Sequence, residues 1–81
     1  MKIQILGKGC PKCKKLEENT IMAAKDLNIE YEIEKVQDIA KIVEMGVTIT
    51  PALAIDGKVL ISGHVLSPEA IKKILKDHLN V

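Results

Sequence analysis

The sequence Cys10-Pro11-Lys12-Cys13 contains both cysteines of this chain and lies where two elements of different periodicity meet. Residues 3–6, ahead of it, form an apolar run typical of a short buried strand, and residues 11–27 carry apolar side chains at helical spacing. Cysteines three residues apart at the start of a helix share one face, so their sulfurs can approach each other. The pair can therefore form and break a disulfide.

The position of Cys10 at the N-cap of the predicted helix favours its thiolate. Unpaired backbone N–H groups and the positive end of the helix dipole stabilise an anion there, and Pro11 suits the first helical position. Cysteines in such settings have pKa values of roughly 3.5–7.5 instead of about 8.5. We therefore predict that Cys10 is the nucleophile. Cys13, one turn further along on the buried side, is the predicted resolving thiol that attacks the mixed disulfide.

The remaining sequence predicts five more elements, which gives the chain the order β-α-β-α-β-β-α. Asp38 and Ser67-Pro68 are helix starts, Gly46 is a helix stop, and Asp56-Gly57 is a two-residue hairpin turn. The predicted strands in this part of the chain are residues 31–36, 52–55 and 59–61. One face of the closing helix carries Ile71, Ile74, Leu75 and His78, and His78 is expected to interact with the last helical carbonyls.

Composition limits the class of protein. A length of 81 residues allows one domain, residues 1–81, and 47% hydrophobic with 28% charged residues is typical of a soluble globular chain. The net charge is +1 and every basic residue is a lysine, so we expect no nucleic-acid partner. No run reaches the length of a signal-peptide core or a membrane span. We expect a cytoplasmic monomer without a membrane partner, in which two cysteines are more typical of catalysis or metal binding than of a structural disulfide.

The order of elements, the Cys10-Pro11-Lys12-Cys13 motif after the first strand, and Thr50-Pro51 before the third strand together resemble the thioredoxin and glutaredoxin superfamily. Within it, the chain is most similar to the small redox-active disulfide proteins of archaea and bacteria. The resemblance covers nearly the whole chain and implies a thioredoxin-like α/β fold, with a four-stranded mixed sheet flanked by three helices. In that superfamily the matching proline is cis and lies beside the cysteine pair. The resemblance thus implies a cis Pro51 and a substrate contact at Thr50, and we predict Pro51, Pro11 and Lys12 as the other substrate-binding residues.

Two departures from the superfamily pattern concern proton transfer and glutathione. Gly9 stands where thioredoxins have a tryptophan, and Gln4 stands at about the place of their buried acid, so the thioredoxin proton-transfer route is not predicted. Glutaredoxins have a tyrosine where this chain has Lys12, and a Gly-Gly-acid sequence where it has Ser62-Gly63-His64. Glutathione is therefore not the expected reductant.

The predicted function is exchange of the Cys10–Cys13 dithiol with disulfides in proteins. The resemblance implies an upstream reductant of the thioredoxin-reductase type, and the two cysteines carry the electrons without a bound cofactor. A general protein reductase, a narrow electron carrier and a redox sensor all fit the same residues. The reduction potential can lie anywhere from about −270 to about −120 mV.

The alternative function is that of a soft-metal carrier, since such domains also place C-x-x-C at the start of a first helix. Those carriers have the order β-α-β-β-α-β and commonly a methionine two residues before the first cysteine, where this chain has Lys8. A structural zinc would need His64 and His78 as further ligands, at a spacing unlike zinc fingers. We predict no metal site.

Overall fold

Residues 1–9 and 11–79, which this computed structural model describes, form four strands and three helices in the predicted order. They are β1 (Lys2–Leu6), α1 (Pro11–Asp26), β2 (Glu32–Val36), α2 (Ile39–Glu44), β3 (Ala52–Ile55), β4 (Lys58–Ser62) and α3 (Pro68–Leu79). Each predicted boundary lies within three residues of the observed one. The thioredoxin-like α/β fold expected from the sequence is confirmed.

The four strands form one mixed sheet in the order β2-β1-β3-β4. β1 pairs with β2 in parallel, whereas β3 is antiparallel to both β1 and β4. At the β3–β4 turn, Asp56 and Gly57 have φ values of 51° and 87°, the left-handed conformation that a tight two-residue hairpin requires. The hairpin prediction is therefore confirmed. The central strand β1 ends at Leu6, immediately before the loop that leads to the cysteine motif.

The sheet separates two cores of unequal size. Alternation along β1 directs Ile3 and Ile5 towards α1 and α3, and Leu6 towards α2. The larger core, here called the α1/α3 core, consists of Ile3, Ile5, Leu16, Ala23, Ala24, Leu53, Ile55, Ile61, Ile71 and Leu75. The smaller one, the α2 core, consists of Leu6, Val36, Ile42, Val47, Ala52 and Ala54.

Side-chain oxygens cap the second and third helices as predicted. Asp38 accepts a hydrogen bond from the backbone N–H of Ala40 at 3.0 Å, and Ser67 Oγ accepts one from the N–H of Ala70 at 3.3 Å. One polar anchor was not predicted. The buried Asn19 of α1 donates from Nδ2 to the Leu66 carbonyl oxygen at 2.8 Å, which ties α1 to the segment before α3.

Asp56 joins the hairpin to both ends of the chain. Its Oδ1 accepts a hydrogen bond from the backbone N–H of Lys2 at 2.9 Å, and its Oδ2 lies 3.6 Å from Nε2 of His78. The Lys2 hydrogen bond, followed by the contact with His78, lowers the pKa of Asp56. His78 thus has a partner on the hairpin that the sequence did not predict. Across residues 1–9 and 11–79, no helix is both long and apolar enough to cross a membrane.

Candidate active site

The first turn of α1 carries the described part of the cysteine motif. Cys10, the predicted nucleophile, lies outside the described residues. Pro11 is the first residue of α1, and both Pro11 and Lys12 are exposed. Cys13 is only 4% exposed, on the face of α1 that turns towards the sheet. The predicted burial of Cys13 is therefore confirmed, and its role as the resolving thiol stays a prediction.

Gly7 allows the end of β1 to approach the sulfur of Cys13. A Cβ placed on Gly7 would overlap Sγ of Cys13 and would lie 3.7 Å from Cβ of Thr50. The Gly7 N–H donates to the Val36 carbonyl at 2.9 Å, so this backbone is fixed against β2. The first turn of α1, the end of β1 and the loop before β3 therefore meet at one point. The sequence indicated only a loop residue at Gly7, although a glycine directly after a buried strand often marks such a close approach.

The Thr50-Pro51 peptide bond is cis, as the resemblance implied. Pro51 is buried and Thr50 is exposed. The carbonyl of Pro51 accepts a hydrogen bond from the N–H of Gly63 at 2.8 Å. Since Thr50 lies beside Gly7 and Cys13, the structure brings the predicted substrate-contact loop and the resolving thiol together.

An apolar groove opens beside Thr50. It encloses about 340 Å³ and is lined by Lys8, Ile39, Ile42, Val43, Val47, Thr48 and Thr50. Ile39 and Val43 are 54% and 62% exposed, although both are apolar residues of the same short helix as the buried Ile42. α2 has only six residues and directs Ile42 alone into the α2 core, so the other two apolar side chains face the groove.

A second, smaller space lies behind Cys13 and is here called the Cys13 cavity. Its volume is about 80 Å³, and its lining residues are Ile5, Gly7, Gly9, Cys13, Lys14, Glu17, Lys35 and Gln37. Glu17 Oε1 lies 3.4 Å from Nζ of Lys35, and the Glu17 side chain is only 18% exposed. This ion pair joins α1 to β2 next to Cys13. Neither Glu17 nor Lys35 was among the predicted site residues.

Gln4, which the resemblance placed near the acid of thioredoxins, lies on the other face of the sheet. It alternates with Ile5, which lines the Cys13 cavity, and its register partner on β2 is Glu34. Gln4 Nε2 donates to Glu34 Oε1 at 2.6 Å. This bond, followed by the contact with Lys2, lowers the pKa of Glu34. Gln4 thus belongs to the α2 side of the sheet and is not among the residues that line the Cys13 cavity.

The described residues contain no group of three or more histidine, cysteine, aspartate or glutamate side chains arranged to hold a metal ion. His64 is exposed in the segment after β4, and His78 contacts Asp56 at the opposite end of that hairpin. The described site combines the buried Cys13, a cavity of about 80 Å³ lined by it, and the apolar groove beside Thr50.

A family model and two related proteins place the chain in the same family. Residues 1–76 match the family model described as a thioredoxin domain. The chain is 51% identical over 75 residues to a protein named thioredoxin from Methanothermobacter thermautotrophicus, which covers 93% of this chain and 97% of the relative. It is 43% identical over 77 residues to a protein named thioredoxin from Methanocaldococcus jannaschii, covering 95% and 88% of the two chains.

Proposed function

The chain belongs to the thioredoxin domain family, and from this premise we propose that it is a thiol–disulfide oxidoreductase acting on disulfides in proteins. The observation that carries the proposal is the position of Cys13. Its sulfur lies at the end of β1, beside the exposed Thr50 and the buried cis Pro51, with an open apolar groove next to that loop.

The reaction has two exchange steps. The Cys10 thiolate attacks one sulfur of a target disulfide, forming a mixed disulfide and releasing the other target sulfur as a thiolate. Cys13 then attacks Cys10, which forms the Cys10–Cys13 disulfide and releases the second target thiol. The target gains two electrons and the protein loses two. Because the cysteines carry these electrons, the reaction needs no bound cofactor, and a separate reductant of the thioredoxin-reductase type restores the dithiol.

The apolar groove supports polypeptides as the substrate class. An extended segment next to the target cysteine can place its apolar side chains against Ile39 and Val43 and pair its main chain with that of the exposed residue Thr50. Lys8 at the edge of the groove favours segments with acidic residues. Pro11 and Lys12, both exposed on the first turn of α1, complete the proposed contact surface.

The first test is dithiothreitol-driven reduction of insulin disulfides in the presence of a chelator. The native chain should accelerate the reduction, and Cys10→Ser should abolish the acceleration. Cys13→Ser should stop turnover while still forming a mixed disulfide that is visible on a non-reducing gel. If the native chain gives no acceleration, general protein-disulfide reduction is refuted. If the reduced chain then binds a soft metal ion stoichiometrically, the metal-carrier function replaces it.

A matched pair of surface variants tests the groove. Val43→Ser removes an apolar side chain from the groove, and Met22→Ser removes a similarly exposed one, 52% exposed, from α1 outside it. Val43→Ser should lower kcat/KM for insulin by roughly threefold to tenfold, because about 1 kcal/mol of apolar contact is lost. Met22→Ser should leave it unchanged. Equal effects of the two variants would show that substrates do not use the groove.

A further inference from the structure

We propose that Glu17 accepts the proton of Cys13 during the resolving step, through the Cys13 cavity. This inference rests on the proposed function, because only the second exchange step requires Cys13 to become a thiolate. Cys13 is 4% exposed, so bulk water has little access to its sulfur. A buried thiol attacks only after losing its proton, and the proton needs an acceptor within reach or one water away.

The cavity supplies that route. Glu17 follows Cys13 by one helical turn, so the two side chains share a face of α1, and both line the same space of about 80 Å³. A space of this size has room for a few water molecules, which can connect a thiol to a carboxylate. Glu17 is mostly buried, and Lys35 holds its carboxylate at the cavity through the 3.4 Å ion pair.

The other polar groups near Cys13 do not offer the same chemistry. The charged side chains that face the cavity in the described chain are Lys14 and Glu17 from α1 and Lys35 from β2, and of these only Glu17 is a carboxylate. Gln37 also lines the cavity but does not titrate at ordinary pH. Gln4 lies on the other face of the sheet, bound to Glu34.

The proposed step conserves protons and electrons. The Cys13 thiol gives its proton to the Glu17 carboxylate through water, and the thiolate attacks Sγ of Cys10 in the mixed disulfide. The Cys13–Cys10 bond forms as the bond between Cys10 and the target sulfur breaks. The electron pair leaves with the target thiolate, which takes up a proton from solvent, and Glu17 later returns its own proton to solvent.

A small aromatic disulfide that releases a coloured thiolate separates the two steps. When one equivalent of this disulfide is mixed with the reduced protein, the attack by Cys10 releases one coloured thiolate. The attack by Cys13 on the mixed disulfide then releases a second. Glu17→Gln should leave the first rate unchanged and slow the second by about tenfold or more near neutral pH. The deficit should shrink as the pH rises, because Cys13 then ionises without an acceptor.

Two further variants separate proton transfer from structural damage. Glu18→Gln makes the same change in charge at the next residue, which does not line the cavity, and it should behave as the native chain. Glu17→Asp retains a carboxylate and should recover part of the second rate. The proposal is overturned if Glu17→Gln resolves at the native rate, slows both releases alike, or shows a deficit independent of pH. Absence of any second release from the native chain would instead refute the proposed function.

Discussion

Replacement of Gly7 by alanine tests the close approach on which the site is built. A methyl group at this position overlaps Sγ of Cys13. The new Cβ would lie 3.5 Å from Cβ of Cys13 and 3.7 Å from Cβ of Thr50, which are ordinary contacts. Only the sulfur must therefore move. Gly7→Ala should both destabilise the fold and displace the Cys13 sulfur, and under the proposed function it should slow insulin reduction as well.

The expected magnitude has two parts. Gly7 has a φ of 156°, and an alanine held at such a positive φ costs about 1–3 kcal/mol. Moving the sulfur to another rotamer, or shifting α1 away, costs about 1–3 kcal/mol more. Gly46→Ala is the control, since Gly46 has a φ of 84° and no atom beyond its chain neighbours lies within 4 Å of the point that its Cβ would occupy. Gly46→Ala should therefore lose stability only through the unfavourable backbone conformation of the alanine.

Urea unfolding of the reduced proteins measures both parts. Gly7→Ala should be at least about 1–3 kcal/mol less stable than Gly46→Ala, because the overlap adds to a conformational cost that is larger at a φ of 156° than at 84°. Combining Gly7→Ala with Cys13→Ala removes the overlapping sulfur, so the double-mutant cycle should show a favourable coupling of the same size.

Two results would refute this reasoning. One is a Gly7→Ala variant no less stable than Gly46→Ala. The other is a coupling between Gly7→Ala and Cys13→Ala below about 0.5 kcal/mol, which is the value expected for residues that do not touch. Either would mean that the end of β1 and the Cys13 sulfur are not in contact.

Three further predictions concern stability. The hydrogen bond from Lys2 lowers the pKa of Asp56, so the native chain should lose stability as the pH falls below the ordinary pKa of 3.8. Asp56→Asn should lose less stability over the same pH range. Urea midpoints measured above and below that pH test this, and equal losses in the two proteins would contradict the prediction. Asn19→Ala leaves the Leu66 carbonyl without its donor and should lower the free energy of unfolding in urea by about 1–3 kcal/mol. A change near zero would contradict that hydrogen bond. Leu16→Ala, at a fully buried position, should lower the free energy of unfolding by about 2–5 kcal/mol and lower the Tm, while the cysteine chemistry is retained. A Tm equal to the native value would contradict the burial of Leu16.

The features that the sequence predicted correctly depend on local chemistry. Asp56-Gly57 can form a tight hairpin, Asp38 and Ser67 can cap helices, and apolar spacing identifies the face of α1 that contains Cys13. Each of these signals lies within a few neighbouring residues. The element order and most of the core therefore follow from the sequence alone.

The features that were missed depend on contacts between distant segments. Glu17 resembles any other charge on α1 until β2 brings Lys35 beside it. Asn19 resembles a solvated residue until the segment before α3 presents the Leu66 carbonyl. α2 has only six residues and buries Ile42 but not Val43, because the way it lies on the sheet is set by contacts with distant strands.

The unequal cores place the two sides of the site in regions of different local stability. Among the residues that the structure describes, Cys13 belongs to α1, which packs on a core of ten buried residues, whereas the apolar groove lies on α2 and a core of six. Local opening costs least where the fewest apolar contacts are lost. Amide hydrogens of α2 should therefore exchange with solvent sooner than those of β1, β3 and α1. If polypeptides dock in the groove as proposed, the less stable α2 side can adapt to their shapes while Cys13 stays in a constant environment.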